Sequence, residues 1–147
     1  MQQIDLMSII ERLENDKNGS FVPDALDIIN LIDYEYSSEL KKIKRKLKET
    51  VNPEVLNFLI CVLEQIPNSL DNNIIDILYD KVKYIENFIS YKNRQKKSFC
   101  LFSPGGEYYE YILTLSYIKK YIKKQEKGIQ EKVKYNNILR ICSMKNP

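Results

Sequence analysis

The chain has 147 residues, of which 44% are hydrophobic and 29% charged, a composition typical of one globular domain. Its 23 Lys and Arg against 20 Asp and Glu give a net charge of +3, and it contains no histidine. The absence of histidine excludes catalysis by a Ser–His or Cys–His pair and metal sites built on imidazole. Low glycine and proline content favours long helices over a turn-rich β fold.

The cysteines and the hydropathy pattern indicate the compartment. Three widely spaced cysteines do not form a disulfide framework, and they favour a reducing, cytoplasmic location. No stretch reaches the ~18 apolar residues of a membrane span, so no membrane insertion is expected. The first residues lack the basic and apolar segments of a secretory signal.

Charge is divided unevenly along the chain. Residues 1–39 carry nine acids and two bases, a net −7, whereas residues 40–147 carry 21 bases and 11 acids, a net +10. We therefore expect a single domain over 1–147 with an acidic N-terminal part and a basic remainder. Two local fields of opposite sign attract partners of opposite charge, but they do not specify a fold.

The first half of the chain predicts three helices. Apolar spacing predicts a helix over 3–15, followed by a break with an Asn-Gly turn at 18–19. A second helix is predicted from Pro23 to about residue 50, with a kink or break at Ser37-Ser38 left open. Asn52-Pro53-Glu54 predicts the start of a third helix, because it combines an N-cap residue, proline at the first helical position and an acid.

The third helix is expected to end at Pro67, and residues 69–73 offer caps for a fourth that continues to Ile89. About five residues join these two helices, which predicts an antiparallel αα-hairpin near 53–92. A polar connector is then expected over 92–98.

The last third of the chain predicts one clear helix and one ambiguous segment. Residues 99–102 form a short apolar run, a strand or a buried turn, before a strong turn at 103–106. A helix is predicted over 107–127, with Gly128 as its C′ residue. Residues 129–142 favour a helix, with a strand at 138–142 paired to 99–102 as the alternative. The expected fold class is an all-α bundle of five or six helices with at most a minor two-stranded element.

Three lysine-rich bands, at residues 41–48, 92–97 and 119–124, are candidates for binding an anion or nucleic acid. Residues 41–48 (KKIKRKLK) hold six bases and no acid, and they are either a phosphate or acidic-partner contact or a solvated helix end. Whether the bands share one face stays open at this stage. Lys far outnumbers Arg, so any nucleic-acid binding is expected to be to the backbone and salt-sensitive. The candidate contacts are Lys41, Lys42, Arg45, Lys46, Lys96, Lys97, Lys120 and Lys124.

Tyrosine is the dominant aromatic residue, with eleven Tyr against five Phe and no Trp. Tyrosines on the 107–127 helix are too close in sequence to face the core together, and Tyr121 is expected to continue their surface region. Exposed tyrosine is favoured at binding surfaces because it adds contact area at low entropy cost. Core packing, and pairing of the acids with the chain's own basic helices, are the alternatives. The candidate partner-binding residues are Asp27, Asp33, Glu35, Tyr108, Tyr109 and Tyr117.

These features predict a non-enzymatic protein–protein interaction module, most simply an inhibitor or immunity-type protein that binds and neutralises a protein partner. The alternative is an accessory nucleic-acid-binding protein that uses the lysine bands. No catalytic residue, metal or cofactor is expected, because no motif of either kind is present. The oligomeric state is left open.

Overall fold

The fold is all-α in a computed structural model that describes residues 6–15, 36–95 and 107–143. The described residues contain six helices and no strand, which confirms an all-α bundle of five or six helices. The helices are α1 (Leu6–Asn15), α2 (Tyr36–Glu49), α3 (Pro53–Gln65), α4 (Asn72–Gln95), α5 (Glu107–Lys124) and α6 (Lys132–Cys142).

Side-chain caps set the starts of the two central helices. The Asn52 Oδ1 accepts from the backbone N–H of Glu54 at 2.9 Å and of Val55 at 3.2 Å, so the predicted N-cap of α3 is confirmed. The Asp71 Oδ1 accepts from the N–H of Ile74 at 2.8 Å and serves α4 in the same way, within the predicted capping segment. Each cap satisfies a backbone donor that has no partner inside its helix.

The helices alternate between two layers along the chain. One layer contains α1, α3 and α5, the other contains α2, α4 and α6, and neighbours within each layer pack on each other. Because Asn57 lies beside Glu110 and Glu64 beside Lys124, α3 and α5 run parallel. Helices α4 and α6 are likewise parallel, since Lys134 near the start of α6 pairs with Asp76, and Arg140 near its end pairs with Glu86, which lies further along α4.

Helix α3 lies at the centre of its layer and is apolar on almost every side. Eight of its thirteen residues are buried, which is expected of a helix whose sequence is hydrophobic all round. The core continues into α4, α5 and α6, where the largest fully buried side chains include Tyr111 and Tyr121.

Helices α3 and α4 follow each other after a short link, but they pack on other helices rather than on each other as the predicted αα-hairpin. Residues 66–71 join α3 to α4 as expected, but the two helices make little contact, because α3 packs chiefly on α5 and α4 on α6. The link between α3 and α4 is bound by Gln125, the residue that follows α5, and this contact places the end of α5 beside the end of α3. The Gln125 side chain donates to the carbonyl of Ile66 at 3.0 Å and accepts from the N–H of Leu70 at 3.0 Å.

Other boundaries differ by a few residues. Helix α4 continues to Gln95, into the predicted connector, because no Gly or Pro interrupts it. Helix α5 ends at Lys124, three residues early, and Gly128 follows with a φ of +91°. Residues 138–142 are helical, so the strand alternative is wrong there, and α2 is continuous through Ser37 and Ser38. The rest of the predicted second helix, the 99–102 run and the 103–106 turn lie outside the described residues.

Candidate functional site

The parallel helices α3 and α5 share a half-buried outer face, which we call the α3–α5 surface. Cys61 of α3 and Leu113 and Tyr117 of α5 form its uncharged centre, and Asn57, Tyr109 and the half-buried Glu110 lie at its N-terminal end. The spacing of four residues on each helix puts these side chains in two adjacent stripes. Two candidate partner-binding residues, Tyr109 and Tyr117, therefore lie on one stripe of α5, beside Cys61 of α3.

A polar cluster joins the two helices at the N-terminal end of this surface. The Asn57 Nδ2 donates to the Glu110 carboxylate at 3.3 Å. The Thr114 hydroxyl donates to Asn57 Oδ1, and its oxygen also lies 2.9 Å from the carbonyl of Glu110. Because these groups satisfy one another, they fix the register of α3 against α5 at this end.

A carboxylate between two lysines forms the other end of the surface. The Glu64 Oε1 lies 3.6 Å from Lys120 Nζ and 3.7 Å from Lys124 Nζ. The Glu64 side chain is only 8% exposed, whereas those of Lys120 and Lys124 are 71% and 52% exposed. The two lysines are therefore aligned by one buried acid and still present their ammonium groups to solvent.

Burial keeps the Cys61 thiol and the Tyr117 hydroxyl of this surface in their neutral forms by raising the pKa of each group. Burial raises the pKa of the Cys61 thiol, and the nearby Glu64 raises it further. Burial likewise raises the pKa of the Tyr117 hydroxyl, with smaller contributions from Cys61 and Glu110. A thiol with a raised pKa is a poor nucleophile, so the arrangement favours contact over covalent chemistry.

The basic band of α2 divides into exposed residues and residues that tie helices together. Lys41, Lys42 and Arg45 are exposed. Lys44 Nζ lies 2.7 Å from Asp71 at the start of α4, and Lys46 Nζ lies 2.8 Å from Glu14 of α1. Lys46, a candidate anion contact, is thus paired with an acid of the chain's own N-terminal part.

A cleft of about 610 Å³ lies between the end of α2 and the first half of α4. Its lining combines Asp76 and Asp80 with Lys48, Lys81 and the exposed side chains of Val51 and Tyr84. The Lys81 residue is 7% exposed, and its Nζ donates to the carbonyls of Lys48 at 2.8 Å and Thr50 at 2.6 Å. Burial lowers the pKa of this ammonium.

Sequence reasoning missed Lys81 although a signal was present. The residue occupies a position four after Ile77 and three after Leu78, within the apolar stripe of α4. A lysine there is either at the edge of the stripe or buried with partners. The two carbonyls at the end of α2 are those partners.

The structure brings together only some of the predicted site residues. Tyr109, Tyr117, Lys120 and Lys124 share the α3–α5 surface, whereas the exposed part of the α2 band lies on a helix of the other layer. Tyr121 does not continue the surface, because it is buried against Ser69. The remaining candidates lie outside the residues or side chains that the structure describes: Asp27, Asp33, Glu35, Lys96, Lys97 and the Tyr108 side chain.

Comparison with known proteins gives no match: no protein-family model, no curated protein and no solved structure is similar to this chain. Among the helices described above, none has both the length and the hydropathy needed to cross a membrane.

Proposed function

We propose that this chain is a non-enzymatic protein-interaction module, of the inhibitor or immunity type, which binds and neutralises a protein partner through the α3–α5 surface. One observation carries the proposal: two tyrosines, a leucine and a cysteine form an uncharged strip on an outer face, with Glu110 at one end and the exposed Lys120 and Lys124 at the other. Protein interfaces typically combine an aromatic, charge-depleted centre with a polar rim.

The contrast with α2 supports this choice of surface. The exposed residues of α2 are mostly Lys and Arg, the usual composition of a solvent-facing helix, whereas the outer face of α3 carries Asn57 and Cys61 between Glu54 and Gln65. Tyrosine at such a surface supplies a large contact area and keeps a hydroxyl for hydrogen bonding, and it is common among the residues that dominate binding energy.

A second candidate function, nucleic-acid binding, is supported by the α2 band. Lys41 and Arg45 are exposed and lie one helical turn apart, so they face the same side. Such a pair suits contacts to successive phosphates, and its affinity would fall steeply with salt.

A pull-down from native lysate, with and without nuclease and at two salt concentrations, tests both functions. We expect wild type to retain a protein partner after nuclease and high salt, and Tyr109→Ala/Tyr117→Ala to lose it. Lys41→Ala/Arg45→Ala is the matched control and is expected to retain the partner. Loss of all bound material on nuclease treatment would instead favour the α2 band and contradict the protein-binding proposal. Circular dichroism checks that each variant is folded.

A further inference from the structure

We infer that the partner presents an acidic, amphipathic helix to the α3–α5 surface, lying along the groove between the two helices with its acidic residues over Lys120 and Lys124. This inference rests on the proposed function and names the chemistry of the partner at the same surface.

The shape of the surface favours a helical occupant. Two packed parallel helices leave a groove between them, and an amphipathic helix fits such a groove with apolar residues at i, i+3, i+4 and i+7. The α5 stripe of Tyr109, Leu113 and Tyr117 repeats every four residues and spans about two helical turns. Cys61 borders it from α3. The apolar face of a partner helix therefore has a matching row of contacts.

The charge of the surface selects an acidic occupant. Lys120 and Lys124 share a single carboxylate, Glu64, so this end of the groove keeps an excess positive charge. Exposed Lys123 on the same helix and exposed Lys127, just after its end, add to it. A partner carboxylate gains from this field and a partner ammonium is repelled, which gives specificity and faster association.

Glu64 positions the side chains of Lys120 and Lys124 before a partner binds. Its buried carboxylate holds both ammonium groups near one point before any partner arrives. The two lysine side chains then lose less conformational freedom when a partner carboxylate binds, which lowers the entropic cost of association. The exposed donors on each ammonium remain for the partner.

Two synthetic 18-residue helical peptides test the charge preference with the full chain. Both carry leucine at the same helical positions, and the flanking positions are glutamate in one and lysine in the other. We expect the glutamate peptide to shift the backbone amide NMR signals of Tyr117, Lys120 and Lys124, with an affinity that falls as salt is raised. The lysine peptide should leave these signals unchanged.

Matched variants locate the effect. Lys120→Gln/Lys124→Gln should weaken binding of the glutamate peptide by about tenfold, whereas Lys41→Gln/Arg45→Gln should not alter it. Equal binding of both peptides, or shifts confined to α2, would overturn the inference.

A photo-crosslink separates failure of the inference from failure of the proposed function. p-Benzoylphenylalanine placed at Tyr117 in native cells is expected to capture a partner segment whose sequence is acidic and helical in pattern. Capture of a basic partner segment would overturn the inference and leave the proposed function standing. A crosslink only within the same chain, or none, would overturn both.

Discussion

Replacing Lys81 by methionine tests how α4 is joined to the end of α2 at the cleft. The Lys81 ammonium donates to the carbonyl oxygens of Lys48 and Thr50, at the end of α2. The N–H of Asn52 does not serve Lys48 as a continued helix would, because it donates to the Thr50 hydroxyl at 3.1 Å. Methionine keeps most of the length of the lysine side chain and removes the ammonium group that donates both hydrogen bonds.

The expected cost follows from these two contacts. A hydrogen bond to a charged group contributes about 1.5–3 kcal/mol, so the pair contributes roughly 3–6 kcal/mol before other effects. Part of this is offset, because Lys81→Met also removes the cost of holding an ammonium away from water. We expect a net loss of about 2–3 kcal/mol in the free energy of unfolding. For a chain of this size that lowers Tm by roughly 4–12 °C.

Urea denaturation followed by circular dichroism measures this loss. The matched control is Lys83→Met on the same helix, where an exposed lysine lies 3.8 Å from Glu86. Such a pair contributes little, so the control should change the free energy of unfolding by about 0.5 kcal/mol or less. Equal stability of the two variants, with unchanged denaturant slopes, would refute the assignment of Lys81 as the residue that ties α4 to the end of α2.

Three further changes test other contacts by the same urea assay. Gln125→Leu should cost about 1–3 kcal/mol, because it leaves the carbonyl of Ile66 and the N–H of Leu70 without their side-chain partner; a loss below about 0.5 kcal/mol would contradict this role. Asn52→Ala should cost about 1 kcal/mol through loss of the α3 cap, and an unchanged midpoint would rule that out. Burial raises the pKa of Cys142 from 9.0 to about 12, so above pH 9 the unfolded chain releases a proton that the folded chain keeps. Stability should therefore fall from pH 9 towards 12, and Cys142→Ala should flatten that fall by at most about 1.4 kcal/mol per pH unit; parallel profiles would disprove it.

Local signals in the sequence were enough to place most helix starts. The Asn52 cap and the apolar spacing of α3, α5 and α6 predict helices that the structure confirms. Which helix packs on which was not predictable in this way. The pairing of α3 with α5 depends on contacts more than fifty residues apart, such as Asn57 with Glu110, and no local pattern encodes them.

The same limit applies to the candidate site. Helical spacing alone put Tyr109 and Tyr117 on one side of α5, but Tyr121 lies four residues further and is buried. Tyr121 is buried because it lies on the side of α5 that faces the residues after α3. Its hydroxyl is 2.9 Å from the hydroxyl of Ser69, which follows the end of α3. Composition identified tyrosine as informative, and only the tertiary contacts separate a core tyrosine from a surface one.

The charge split seen in the sequence has two physical roles that salt can separate. Pairs such as Glu14 with Lys46 and Asp71 with Lys44 join the chain's own helices, but their side chains are partly exposed, so each contributes little to stability. Because most of the stability comes from the apolar core, salt should change the unfolding midpoint only slightly. In the proposed interaction Lys120 and Lys124 are the opposite case, since their exposed side chains would gain most from an approaching partner carboxylate. A strong effect of salt on association, together with a weak effect on unfolding, would therefore support the proposal that the excess positive charge serves recognition.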